Sequence, residues 1–194
     1  MSVREPWQAV LDFWFGERTD PNYGRSRKEW FIKNSAFDDL VREHLESFYQ
    51  QAKLGLFKNW RRNPNGCLAL IILLDQVPRN LFRRTPQAFA TDNKALEIAQ
   101  WAIANSFDHG LLTVQKLFIY LPFEHSETIA DQRRSLELFN SLADDPEAKS
   151  FIDYAQKHFD VIERFGRFPH RNEILGRTNT AAETEFLSQP GSSF

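Results

Sequence analysis

The amino-acid sequence predicts an all-α protein, an array of about eight or nine antiparallel helices in a single domain over residues 1–194. Three observations lead to this prediction. Apolar residues recur at the three- and four-residue spacing of a helix face through most of the chain. Capping residues stand where these stretches begin, and glycine or proline stands where several of them end. No stretch alternates apolar and polar residues between hairpin turns, as a half-exposed strand would.

Strong apolar stripes mark the first two helices. Residues 7–15 place Trp, Val, Leu and Phe on one face, and Gly16 follows as the stop signal. Residues 37–52 carry the second stripe. Ser35 is the predicted N-cap of this second helix, because acidic residues fill the turn after it, where the helix dipole favours negative charge.

The third helix is predicted to lie at the centre of the fold. Asn63 and Pro64 match the N-cap and first position of a helix. The run from Cys67 to Leu74 is apolar on every side, so no face of it suits solvent. Asp75 comes directly after this run and is therefore expected at the C-terminal end of the helix.

The remaining helices follow the same pattern of cap, stripe and stop. In chain order, Thr91 is the predicted cap of a helix over 92–105, Thr113 of a short helix broken near Pro122, and Ser126 of a helix over 127–143. Asp145 and Pro146 begin a helix that runs to Phe165 and stops at Gly166. Thr180 begins a capping box for a last short helix. His44 and His158 fall on apolar helical faces and are expected to be core histidines.

Composition narrows the class of protein. Eighteen Phe, five Trp and four Tyr are incompatible with disorder, and one cysteine cannot build a disulfide framework. A net charge of −2 argues against a general nucleic-acid binder.

The sequence predicts no membrane or export segment. The longest apolar run, Cys67 to Leu74, is far shorter than the roughly 20 residues of a membrane helix, and residues 1–10 lack a signal-peptide core. With its buried thiol, the protein is expected in the cytoplasm.

Two segments break local rules of stability. Asp75 would face the negative end of a helix dipole from a buried position, where a carboxylate needs a cation or several donors. Arg79 follows four residues later. In the second segment, Pro169 is expected to begin a short helix, so that His170 and Arg171 put positive charge in its first turn, where it is unfavourable.

Two interpretations of these segments remain open. Asp75 could pair with Arg79 or Arg171 as a structural ion-pair lock. Alternatively, the Arg and His side chains converge on an exposed pocket for an anion, because Arg makes bidentate contacts to carboxylate or phosphate. The two can coexist if Asp75 orients one Arg while another meets the ligand. The candidate ligand-binding residues are Asp75, Gln76, Arg79, Asn80, His125, Glu127, Arg167, His170, Arg171 and Asn172.

Catalysis is the alternative use of these residues. His125 or His170 could serve as the general base of a hydrolase, with an Arg stabilising the developing anion. Asp75, His125, Glu127 and His170 are a conceivable metal set, but their spacing matches no known ligand signature, so neither metal nor cofactor is predicted. A third possibility is a protein-interaction scaffold with an exposed apolar patch that uses Trp30, Phe31 or Trp60.

Several short sequence motifs, distributed over nearly the whole chain, resemble those of a known family. They are Val10 to Gly16, Leu73 to Asn80, Ala88 to Asp92, Tyr120 to Glu127, Arg164 to Asn172 and Leu175 to Arg177. Together they resemble the bacterial domain-of-unknown-function family nine-two-four. The resemblance implies a tetratricopeptide-like helical fold, which the small-residue spacing of Ala95, Ala99 and Ala102 also favours. It implies no reaction, and the leading hypothesis is a protein that binds a small anionic ligand or an acidic peptide terminus.

Overall fold

The computed structural model describes residues 5–192, and every regular element in that range is helical. This confirms the all-α prediction, while the finer prediction of a tetratricopeptide-like array stays a prediction. None of the helices within the described range combines the length and the apolar character that crossing a membrane requires.

The α-helices are joined by connections of different lengths, several of which contain a single 3₁₀ turn. The α-helices are α1, Pro6–Phe15; α2, Ser35–Lys53; α3, Pro64–Ile71; α4, Val77–Leu81; α5, Asp92–Ala104; α6, Thr113–Glu124; α7, Ile129–Asn140; α8, Lys149–Phe165; and α9, Ala181–Leu187. The 3₁₀ turns are Lys28–Trp30, Lys58–Arg62, Pro86–Phe89, Pro146–Ala148 and Pro169–Arg171. Helix α5 packs against α6, α6 against α7 and α7 against α8.

Helix α3 does not end before Asp75, as the sequence analysis expected. A π-helical turn, Ile72–Gln76, joins it directly to α4, so Asp75 lies inside a continuous helical segment. The physical reason is Pro78, which has no N–H to donate to the carbonyl of Leu74 and whose ring crowds that carbonyl. The wider turn makes room for the ring, and the hydroxyl of Thr91 donates to the free Leu74 carbonyl at 2.5 Å.

Several predicted caps and ends shift by a few residues. Asn34, not Ser35, caps α2, since its side chain accepts a hydrogen bond from the Phe37 N–H. The expected break near Pro122 is also wrong, because α6 continues to Glu124. The side-chain amide of Gln132 donates to the carbonyls of Phe123 and Glu124 at the C-terminal end of α6. The Phe123 carbonyl also accepts from the N–H of Ser126.

The helix after Ser126 begins at Ile129 rather than at Glu127 and ends at Asn140. Ser126 still stabilises its first turn, because its Oγ accepts from the Thr128 N–H and donates to Asp131. Thr91 and Thr113 provide no side-chain cap to α5 and α6. The caps of Asn63, Asp145 and Thr180 are confirmed, as are the stops at Gly16 and Gly166.

Aromatic residues and the α3 run form the main core. Trp14 and Phe118 are fully buried and meet edge to face, with ring centroids 5.6 Å apart. The residues from Cys67 to Leu74 surround them from α3 and the π turn. A separate small cluster, Val161, Ile162 and Phe168, holds the segment after α8 against α8 itself. That segment is what brings Arg171 back to the centre of the molecule.

Candidate functional site

The candidate site is organised around Asp75, whose side chain is 1% exposed. Its Oδ1 accepts from Nδ1 of His125 at 2.7 Å, and its Oδ2 accepts from the Gln76 amide at 2.5 Å. Arg79 lies 3.3 Å from Oδ1. Burial alone would raise the pKa of Asp75, but the charge of Arg79 and the hydrogen bonds from His125 and Gln76 hold it well below its usual range. Asp75 is therefore an anion in a low-dielectric environment.

Arg79 connects Asp75 to a second acid. Its two terminal nitrogens donate to the two carboxylate oxygens of Asp92 at 2.8 and 2.9 Å, and Nη1 also donates to the Asp75 carbonyl. This bidentate geometry is the strongest form of such a pair. Burial opposes the charge of Arg79, yet the two acids outweigh it and raise the pKa of the guanidinium. Arg79 is thus fully neutralised by protein groups.

Arg171 is not neutralised in the same way. Its side chain is 8% exposed, but its nearest carboxylate oxygen, on Asp92, is 3.8 Å away. Nη1 donates to the carbonyl of His125 at 3.1 Å, and within residues 5–192 its buried Nε has no hydrogen-bond partner. Burial and the nearby charge of Arg79 lower the pKa of Arg171 to about 10. Arg171 is therefore a buried cation with unused hydrogen-bonding capacity.

Two phenyl rings lie close to the Arg171 guanidinium. Its central carbon lies 4.7 Å from the ring centroid of Phe89 and 4.5 Å from that of Phe168. Both distances are within the range of cation–π attraction. The rings help to stabilise the buried charge, and the N–H bonds of the group are left for polar contacts.

A small cleft of about 260 Å³ opens beside these groups. Its polar lining combines Arg171 and His125 with the residues that precede α7, Ser126, Glu127 and Thr128. No side chain caps the N-terminus of α7, which leaves positive backbone dipole at the cleft. The remaining lining residues are Phe89, Asp92, Asn93, Leu96 and Pro122.

His125 presents one ring nitrogen to this cleft. Because an ionised Asp75 can only accept, the proton must be on Nδ1. Nε2 then carries the lone pair, and no group within residues 5–192 hydrogen-bonds to it. Burial, reinforced by the charge of Arg79, lowers the pKa of His125 against the opposing effect of Asp75. His125 is therefore neutral near pH 7 and offers an acceptor.

Directly behind His125 lies a second buried pair, Glu124 and His158. Oε1 of Glu124 is 3.2 Å from Nδ1 of His158, and both side chains are about nine-tenths buried or more. Burial, with a smaller effect of the Asp75 charge, raises the pKa of Glu124 to about 8. Burial lowers the pKa of His158 to about 3. Both groups are therefore neutral near pH 7. His158 is a core histidine as expected, whereas His44 is exposed.

Not all predicted site residues meet at the cleft. His125 and Arg171 line the cleft. Asp75, Gln76 and Arg79 do not line it, but they form the network that contacts His125. Glu127 lines the cleft, but its carboxylate accepts two hydrogen bonds from Arg177 and one from the Phe168 N–H. Glu127, rather than Asp75, thus provides the negative charge at the start of the Pro169 turn.

The other predicted residues have partners elsewhere. Asn80 donates to Asp38, which also binds Arg83. Arg167 makes a bidentate pair with Glu183, and Asn172 donates to Asn179. His170 packs beside Phe168, outside the lining of the cleft. The Asn80 contact joins α4 to α2, and the contacts of Arg167 and Asn172 anchor the segment after α8. None of these side chains lines the cleft.

Asp92 and Phe89 are the site residues that the sequence analysis missed. Asp92 looked like an ordinary first-turn acid of α5, and Phe89 like one aromatic among many. The signal that could have found them is their position in the string from Ala88 to Asp92, which carried part of the resemblance.

Two further predictions concern groups away from the cleft. Trp30 and Trp60 are buried, so neither contributes to an exposed apolar patch, while Phe31 is 48% exposed. Among residues 5–192, no three metal-ligating side chains lie together in a way that could hold a metal ion.

Comparisons with known proteins agree with the resemblance described above. The family model described as bacterial protein of unknown function (DUF924) matches residues 10–191. A solved structure of a protein of unknown function from Agrobacterium tumefaciens is similar, with 36% sequence identity and a TM-score of 0.82. The similarity covers 94% of this chain and 96% of that chain. Among curated proteins, none matches.

Proposed function

The chain belongs to the bacterial family of unknown function DUF924, and we propose that this member binds a small anionic ligand at Arg171. The observation that carries the proposal is the incomplete pairing of this buried guanidinium. Burying a cation without a close counter-charge is costly. An anion in the cleft would relieve that cost and would also meet the uncapped N-terminus of α7.

The structural-lock interpretation accounts for a different part of the site. Asp75, Arg79 and Asp92 satisfy one another through short contacts, which is what a lock requires. Arg171 contributes little to that lock, because its contact to Asp92 is long. The two interpretations therefore coexist in neighbouring groups: a neutralised inner network and an outer cation that lines the cleft.

Ligand binding through Arg171 makes a direct prediction. In low-salt buffer, one of a panel of small carboxylates and phosphates should raise the melting temperature of the wild-type protein. Arg171→Ala should weaken binding of that anion at least tenfold, because hydrogen bonds to a charged group contribute about 1.5–3 kcal/mol. Isothermal titration calorimetry measures the change.

Two variants serve as controls for this experiment. Arg171→Lys keeps the charge and should retain part of the affinity, whereas Arg134→Ala removes an exposed Arg from a surface ion pair and should leave binding unchanged. If no anion stabilises the wild-type protein and Arg171→Ala unfolds it, then Arg171 belongs to the lock and the proposal fails.

Hydrolysis is a second candidate function, favoured by the geometry of His125. Its Nδ1–H is held by Asp75 at 2.7 Å, which orients the ring and leaves Nε2 as the basic atom at the cleft. This is the arrangement by which a carboxylate positions a histidine base. Nε2 would take a proton from water as the water oxygen attacks a bound ester, and would return that proton to the leaving alkoxide.

Ester hydrolysis by His125 has its own test. A panel of small anionic esters should be turned over with a rate that falls at least a hundredfold in His125→Gln, in line with the usual contribution of a general base. Binding of non-hydrolysable anions should survive this substitution. Turnover that is equal in both proteins, or absent in the wild type, would leave ligand binding without catalysis.

Two further parts of the proposal are the arrangement of the helices and the cellular location. The tetratricopeptide-like arrangement remains our interpretation of the successive packing of α5 to α8. The cytoplasm remains the proposed location, and it is supported by a fully buried free thiol, Cys67. Burial raises the pKa of this thiol to about 11, so Cys67 is not a candidate nucleophile.

A further inference from the structure

We infer that the ligand of this cleft is a monocarboxylate with an apolar body, a class represented by benzoate. The inference rests on the proposed anion binding at Arg171 and narrows it to one ligand chemistry. It follows from three properties of the cleft: which side of the guanidinium is open, how much charge already surrounds it, and what lines the remaining walls.

The first property is the covering of Arg171 by aromatic rings. Phe89 and Phe168 both lie within cation–π distance of the guanidinium and occupy space that a stacking ligand would need. The polar approach to Arg171 is therefore along its N–H bonds. Nη1 already donates to the His125 carbonyl and Nε is shielded by the protein, so Nη2 is the nitrogen with no hydrogen-bond partner among the described residues that a ligand can reach. A carboxylate oxygen can accept a charge-assisted hydrogen bond from it.

The second property is the local charge. Arg79 and Arg177 are each engaged by close bidentate contacts, to Asp92 and Glu127 respectively. The ionised Asp75 lies behind them and remains a source of negative potential. A single negative charge on the ligand is enough to match Arg171. A phosphate dianion would bring a second charge toward Asp92 and Glu127, both of which line the cleft.

The third property is the apolar part of the lining. Phe89, Leu96 and Pro122 share the cleft with Arg171. A ligand that consisted only of a charged group would leave these surfaces in contact with water. An apolar body on the carboxylate would bury them, and the volume of about 260 Å³ restricts that body to a small ring or a short chain.

Four probes test the inference on the full-length protein. Benzoate, acetate, benzamide and inorganic phosphate are titrated at equal ionic strength and followed by amide chemical shifts in NMR. Benzoate should bind at least tenfold more tightly than acetate, which lacks the ring, and tenfold more tightly than phosphate. Benzamide, the neutral analogue of benzoate, should not bind measurably.

Substitution of the apolar wall provides the matched control. Leu96→Ser should weaken benzoate severalfold and leave acetate unchanged, whereas Leu175→Ser, at an exposed position outside the cleft, should affect neither. Phosphate binding as tightly as benzoate would overturn the ligand class but leave anion binding at Arg171 intact. Equal affinity for acetate and benzoate would overturn the apolar body. No binding by any of the three anions would overturn both proposals.

Discussion

Replacing Asp75 with alanine is expected to destabilise the protein by about 3–5 kcal/mol, the usual cost of removing one partner from a buried ionic network. The carboxylate is 1% exposed and is contacted by His125, Gln76 and Arg79. Without it, the His125 N–H and the Gln76 amide lose their acceptor in a place that water does not reach. Arg79 keeps Asp92, so the network should weaken but not vanish.

Urea unfolding monitored by circular dichroism measures this loss. Glu97→Ala is the matched control, because Glu97 pairs with Arg61 at the surface with its own side chain 65% exposed, and should cost no more than about 1 kcal/mol. The pKa of Asp75 is held low in the fold, so its contribution is present above pH 4 and is lost as the pH falls toward the folded pKa. A cost below 1 kcal/mol near pH 7 would contradict the central role of Asp75.

Replacing Glu124 with glutamine is expected to stabilise the protein by a few kcal/mol at pH 8 and to have little effect near pH 4. Burial and the charge of Asp75 raise the pKa of Glu124 to about 8 in the fold. A carboxyl with a raised pKa contributes stability below its unfolded pKa, near 4.3, and loses that contribution as the pH rises toward 8. Glutamine cannot ionise, so it avoids the loss and still offers an oxygen to His158.

The pH dependence of the stability difference shows whether Glu124 is neutral or ionised in the fold. Stability curves of wild type and Glu124→Gln, measured by urea unfolding at several values between pH 4 and pH 8, should diverge steadily as the pH rises. The titration of His158 acts on both proteins and largely cancels in the difference. Glu137→Gln serves as control at a side chain 65% exposed and should show no such divergence. Parallel curves for Glu124→Gln would mean that Glu124 is ionised as a partner of a charged His158.

Together these experiments distinguish two layers of the site, the inner network around Asp75 and the cleft lined by Arg171. Changes at Asp75 and Glu124 act on the stability of the inner network, where protein groups satisfy one another. Changes at Arg171 act on the affinity of the cleft. The segment after α8 connects the layers, because it places Arg171 over the network and is itself held by the Glu127–Arg177 and Glu183–Arg167 pairs.

Local sequence signals predicted most of the helices, since helix formation depends on neighbours three and four residues apart. Their ends were predicted less well. The expected end of α3 was wrong, because Thr91, which is distant in sequence, bonds to the carbonyl that Pro78 leaves free. The expected break at Pro122 was also wrong, since α6 continues to Glu124. Proline shows where a helical hydrogen bond is missing, but the sequence cannot show what replaces it.

The sequence by itself determined the helical class of this protein, its buried central run and the presence of unusual charges at Asp75 and Arg171. Only the tertiary structure decided how those charges are paired. Asp92 neutralises Arg79, and Glu127 accepts from Arg177 and from the N–H of Phe168 before the Pro169 turn. Arg171 lines the cleft with no carboxylate closer than 3.8 Å. The reason is physical: capping and periodicity act within a few residues, whereas an ion pair depends on distances of a few ångströms that chain folding alone creates.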